Sequence, residues 1–197
     1  MFKNILFILI IFPIYIYSQV VTSTPVFPTE NDSIVVFFHA DQGDAGLEGY
    51  SGNVYAHTGV YTNLNSSAWQ HVIGSWGDDA AQPKLTRIGT NLYVLTIGHP
   101  RDFYGITNPG EHITSINFVF RSEGSSGPTG RDVGGADIFM PLFSEGLNVK
   151  ITAPANESSF ARIGDTINLQ ASASNSDSLF LFRDSELIAA GSQSNIS

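Results

Sequence analysis

The chain has 197 residues and a formal net charge of −9, with nine Lys and Arg against 18 Asp and Glu, and it contains no cysteine. So few and scattered cations exclude a phosphate-neutralising nucleic-acid surface, and the missing thiols exclude disulfides, zinc–thiolate sites and cysteine catalysis. Low charge (14%) with 19 Gly, 9 Pro and 14 Phe suits short strands joined by turns. No window after residue 20 sustains the apolar spacing of an amphipathic helix, so the expected class is all-β.

Residues 1–18 read as an export signal: Lys3 gives the positive start, Ile5 to Tyr17 the apolar run, and Ser18 a small residue before Gln19. The run falls short of the about 20 residues a spanning helix needs. The expectation is a secreted or cell-surface protein, monomeric, with no integral membrane segment once the signal is cleaved. The proline-bearing stretch 20–30 reads as an extended edge segment, and 33–40 (SIVVFFHA) as a strand. In the Gly-rich loop 41–52, Asp41, Asp44 and Glu48 either bind a structural calcium or form a solvated acidic loop; their spacing is not that of a recognised calcium loop. No other cofactor is expected.

The stretch 53–77 (NVYAHTGVYTNLNSSAWQHVIGSWG) carries both tryptophans. Val54 and Ala56 alternate with Tyr55 and His57, so Tyr55 and His57 share a face and are expected exposed, opposite an apolar one. Aromatic planes beside short hydrogen-bonding side chains suit a sugar, whose C–H groups pack on a ring while its hydroxyls need partners. The candidate site is therefore Tyr55, His57, Trp69 and Trp76, with Lys84, Arg101 and Asn63 as hydrogen-bonding candidates; the tryptophans either line it or pack in the core. Further strands are expected at 92–97, after a hairpin turn at 89–91, at 113–121 with Ile116, Phe118 and Phe120 on one face, and at 138–143.

The character changes at 145–147. Stretches 147–153, 167–173, 179–182 and 187–190 have the strand–turn rhythm of an immunoglobulin-like sandwich, short of its about seven strands. The expected organisation is a signal (1–18), a β-sandwich (19–145) and a partial immunoglobulin-like domain (146–197) at the start of a longer protein. For catalysis, Asp78, Asp79, Asp102 and Asp137 are carboxylates that no motif pairs across a cleft. The five histidines lack zinc spacing, and neither a nucleophile elbow nor a phosphate-binding loop occurs.

The runs VFPTENDSIVVFFHADQGDAGLEGYSGNVYAHTGV, AWQHVIGSWG, KLTRIGTNLYVLTI, HPRDFYGI, INFVFRSEGSSG, GRDVGGADIF and EGLNVKITAP resemble the N-terminal region of secreted α-amylase-like enzymes of Bacteroidota-type bacteria. In those a starch-binding sandwich similar to carbohydrate-binding module family 26 precedes an immunoglobulin-like segment and a family 13 glycoside hydrolase barrel. The resemblance implies non-catalytic α-glucan binding here, the barrel being absent from this sequence. It also implies a grip by two aromatics spaced by two on a strand and a following tryptophan, at Tyr55, His57 and Trp69. His57 stands where the family has a tyrosine. The competing reading is a surface scaffold or adhesion sandwich that binds no sugar.

Overall fold

The computed structural model describes residues 19–154 and 162–191 and the backbone of 195–196; the export signal read over 1–18 lies outside the described residues. The expected all-β class holds. Two four-stranded antiparallel sheets carry the strands between residues 21 and 141. In the first, β1 (Val21–Thr24) lies beside β2 (Ile34–His39), then β5 (Leu92–Gly98) and β4 (Thr86–Gly89). In the second, β3 (Val54–Thr62) pairs with β6 (Ile113–Ser122), whose other edge receives β7 (Thr129–Gly130) and then β8 (Ile138–Pro141) in succession. One helical turn, α1 (Pro100–Phe103), interrupts the loop after β5.

Alternation sets the core. Ile34, Val36 and Phe38 of β2 and Tyr93, Leu95 and Ile97 of β5 are buried with Val54, Ala56 and Val60 of β3 and Ile116, Phe118 and Phe120 of β6. Phe38 stacks on Phe120 at 4.0 Å between ring centroids. Thr58, also inward, is satisfied by the Tyr104 hydroxyl at 2.7 Å and by donating to the Asn117 carbonyl at 2.8 Å, as a polar group in a dry core requires.

Beyond residue 147, β9 (Asn148–Ala153) pairs with β10 (Gln170–Ser174), which also pairs with β13 (Asn195–Ile196), while β11 (Leu179–Arg183) and β12 (Glu186–Gly191) form a separate hairpin. Their buried residues, Ala171, Ala173 and Leu179, make a second, small cluster distinct from the first. Among the described residues no helix is long and apolar enough to cross a membrane.

Candidate functional site

The inward set of β3 is Val54, Ala56, Thr58 and Val60, so Tyr55, His57, Gly59 and Tyr61 point away from the core. Across the ladder, Tyr55 faces Arg121, His57 faces Val119 and Gly59 faces Asn117. This outer face is not bare. Along the free edge of β3, residues 70–73 and 83–85 run as an irregular neighbour: Gln70 and Val60 exchange both backbone hydrogen bonds, Ile73 donates to the Thr58 carbonyl, Ala56 to the Pro83 carbonyl and Leu85 to the Val54 carbonyl. Gly59 allows this approach, because a Cβ there would meet the Gln70 carbonyl at 2.9 Å and the Val72 side chain at 3.0 Å.

Between Ile73 and Pro83 this neighbour leaves the edge, opposite His57. On the far edge of β6 the partner strand also leaves, between Gly130 of β7 and Ile138 of β8, opposite Val119. The two excursions therefore flank the His57–Val119 pair, and a cleft of about 320 Å³ opens there, lined by His57, Trp69, Val72, Trp76, Val119, Arg131 and Asp137. The His57 ring stacks on Trp69 (5.5 Å, 25° between planes) and meets Trp76 edge-on (5.2 Å, 77°). Trp76 is 41% exposed, and its indole N–H donates to the Ser125 carbonyl at 3.0 Å, which fixes the ring. On the other wall Arg131 and Asp137 form an ion pair at 2.6 Å. A larger groove of about 600 Å³ between β1, β8 and β9 contains none of these three rings.

The remaining predicted residues fall outside the cleft. Tyr55, expected exposed, is buried at 8%: the Arg121 guanidinium lies 5.0 Å over its ring, so no sugar can stack on it. Arg101, expected to reach a ligand, is consumed in the fold, donating to the Glu111 and Asn108 carbonyls and to the Glu30 carboxylate. Asn63 is spent bridging the Gly110 carbonyl and the His112 N–H. Lys84 is exposed on the edge of β3 beside Tyr55, away from the lining residues. Asp44, a calcium candidate, accepts the N–H groups of Gly46 and Arg131, and among the described residues no three His, Asp or Glu side chains converge on one point.

Besides the lining Val72, four residues of the arrangement escaped sequence reasoning: Gln82, Arg121, Arg131 and Val119. Arg121 is 1% exposed. Its Nη1 donates to Asp79 at 2.5 Å, its Nε donates to Gln82 Oε1 at 2.5 Å, and Gln82 Nε2 lies 2.7 Å from Nδ1 of His57. Burial, reinforced by the positive charge of Arg121, holds the His57 imidazolium below the usual histidine range, so the ring is uncharged at neutral pH. The Arg121 hydrogen bond holds the Asp79 carboxyl below its usual range. Of the four, Val119 and Arg121 were recoverable from alternation: with Ile116, Phe118 and Phe120 inward, they must face outward.

Compared with known proteins, the chain matches no family model and no curated sequence. The functional reading therefore rests on the cleft itself. Chemically the cleft offers three adjoining rings, one of them a neutral imidazole, and a rim carrying both donors and acceptors. That combination suits an uncharged, hydroxyl-rich ligand with an apolar face.

Proposed function

We propose that the cleft is a non-catalytic carbohydrate site, that its ligand is a starch-like α-glucan, and that the chain is the binding part of an exported α-amylase-type glycoside hydrolase. The observation that carries the reading is the His57–Trp69–Trp76 cluster facing the Arg131–Asp137 pair across one open cleft. The choice of α-glucan comes from the family resemblance, in which His57 and Trp69 occupy grip positions. A ring–sugar stack contributes on the order of 1 kcal/mol, by analogy with aromatic pairs. Binding is then weak per site and favours oligomers several units long, and its role is to raise the local concentration of an attached enzyme on a polymer.

Because both tryptophans line the cleft, their fluorescence reports occupancy directly. Titration with maltoheptaose changes the emission, whereas a cello-oligosaccharide of equal length does not. Retardation in a starch-containing affinity gel disappears in Trp69→Ala while the far-ultraviolet dichroism stays that of a β-protein. Emission indifferent to both sugars would instead favour the scaffold or adhesion reading.

A further inference from the structure

We propose that Gln82 fixes the tautomer of His57, holding the ring with a bare Nδ1 and its proton on Nε2, so that the cleft presents a hydrogen-bond donor at this position. The argument starts from Arg121, which can only donate. It cannot turn away: Nη1 donates to Asp79 and to the Ser122 and Gly124 carbonyls, and the guanidinium plane is packed over Tyr55. Its Nε–H points at Gln82 across 2.5 Å, so that end of the Gln82 amide must be the carbonyl. The other end is then the NH2 group, and it lies 2.7 Å from Nδ1 of His57. An NH2 group only donates, so Nδ1 must supply a lone pair, and a neutral imidazole without a proton on Nδ1 carries it on Nε2.

Flipping the Gln82 amide would set N–H against N–H at Arg121. Protonating His57 would set N–H against N–H at Gln82. Gln82 is 3% exposed, so water has little access to repair either mismatch, and an unmade buried hydrogen bond is costly. The charged groups facing His57 are Arg121 from β6, Arg131 and Asp137 from the β7–β8 excursion, and Asp79 from the 74–82 excursion, acting through Arg121. With Nδ1 committed to Gln82, Nε2 is the nitrogen offered to a ligand. On the carbohydrate reading, on which this role of the donor rests, it addresses a sugar oxygen. Gln82 is thus a positioning residue, and Arg121 positions Gln82.

The test is a long-range 15N–1H correlation spectrum of the whole chain labelled at histidine, with His57 assigned through His57→Gln. The expected pattern at about pH 7.5 has Nδ1 at an unprotonated shift and Nε2 at a protonated one, with the second proton taken up at a lower pH than by an ordinary histidine. In Gln82→Glu the new carboxylate accepts from both neighbours, Nδ1 gains a proton, and the His57 midpoint rises by about one unit or more. In Gln82→Leu the two tautomers mix. A protonated Nδ1 in the unaltered protein, or one pattern shared by all three proteins, overturns the proposal. Maltoheptaose is added to the same samples: an unaltered spectrum with the tautomer as stated removes the sugar reading alone and leaves the Gln82 role standing.

Discussion

Arg121 carries a full charge at 1% exposure, tolerable because Nε and Nη1 are answered by Gln82, Asp79 and two carbonyls and the guanidinium plane by the Tyr55 ring, with Nη2 left buried and without a hydrogen-bond partner. Arg121→Ala leaves a cavity over Tyr55 and an orphaned Gln82 carbonyl, at a cost of roughly 3 kcal/mol. Urea denaturation should show that loss as a lower midpoint, with the tryptophan emission altered because the 74–82 excursion is no longer tied down. Tyr55→Phe is the opposite case. The ring stays under Arg121, so on the proposed carbohydrate reading maltoheptaose affinity should hold within about twofold, and a larger loss would mean that the Tyr55 hydroxyl reaches ligand. Alternation correctly assigned Tyr55 and His57 to one side of β3, but it says which side a residue faces and nothing of what lies on top. Arg121 lies 39 residues beyond Gln82 and 42 beyond Asp79, and its convergence with them over Tyr55 is a tertiary fact that no local pattern carries.

At the level of elements, the cleft exists because two edge strands fail to run straight through. Each sheet-two edge has its excursion, 74–82 and 131–137, and both are displaced from the ladder at the same height, so the His57–Val119 pair stays uncovered. The strands themselves were legible: β2, β5, β6 and β9 lie within a few residues of their apolar runs, because period-two alternation survives translation into burial. The excursions were not, since Gly, Ser and Asp sequences specify a departure from the ladder without its direction. The acidic loop 41–52 shows this well. Its function in the fold is backbone docking: Asp44 and Arg131 exchange hydrogen bonds, Asp44 N–H to the Arg131 carbonyl at 3.1 Å and Arg131 N–H to Asp44 Oδ1 at 2.9 Å. Gly43 sits there at φ +67°, and a Cβ would fall 2.1 Å from the Arg131 carbonyl. Gly43→Ala should therefore destabilise by about 1–3 kcal/mol through left-handed strain and displaced backbone. Because Arg131 lines the cleft, the proposed sugar affinity should fall with it, a coupling that calorimetric titration of the variant with maltoheptaose reads directly.

Across the whole molecule, acid should act through groups that the fold keeps from protonating. Burial lowers His39, against a smaller opposing pull from Asp41, and burial together with Arg121 lowers His57. Burial alone would raise Glu30, but its hydrogen bonds with His112 and the Ile113 N–H, and with Arg101, leave it lowered; Asp79 is lowered chiefly by its Arg121 hydrogen bond. The sign is common to all four: in each case the unfolded chain takes up the proton before the folded one does, so stability falls as pH falls. The histidines act first, below about pH 6.5, and the carboxylates next, below about 4.5. Partial relief of the −9 net charge pushes the other way, but exposed charges repel weakly in water and salt, so the buried groups should win. The melting temperature at fixed ionic strength should therefore drop from pH 7 to 5 and more steeply below. His57→Gln removes one of the two histidines responsible, and should flatten the upper part of that slope while leaving the lower part intact. A melting temperature constant from pH 7 to 5 in the unaltered protein would show that neither His39 nor His57 is held neutral by the fold.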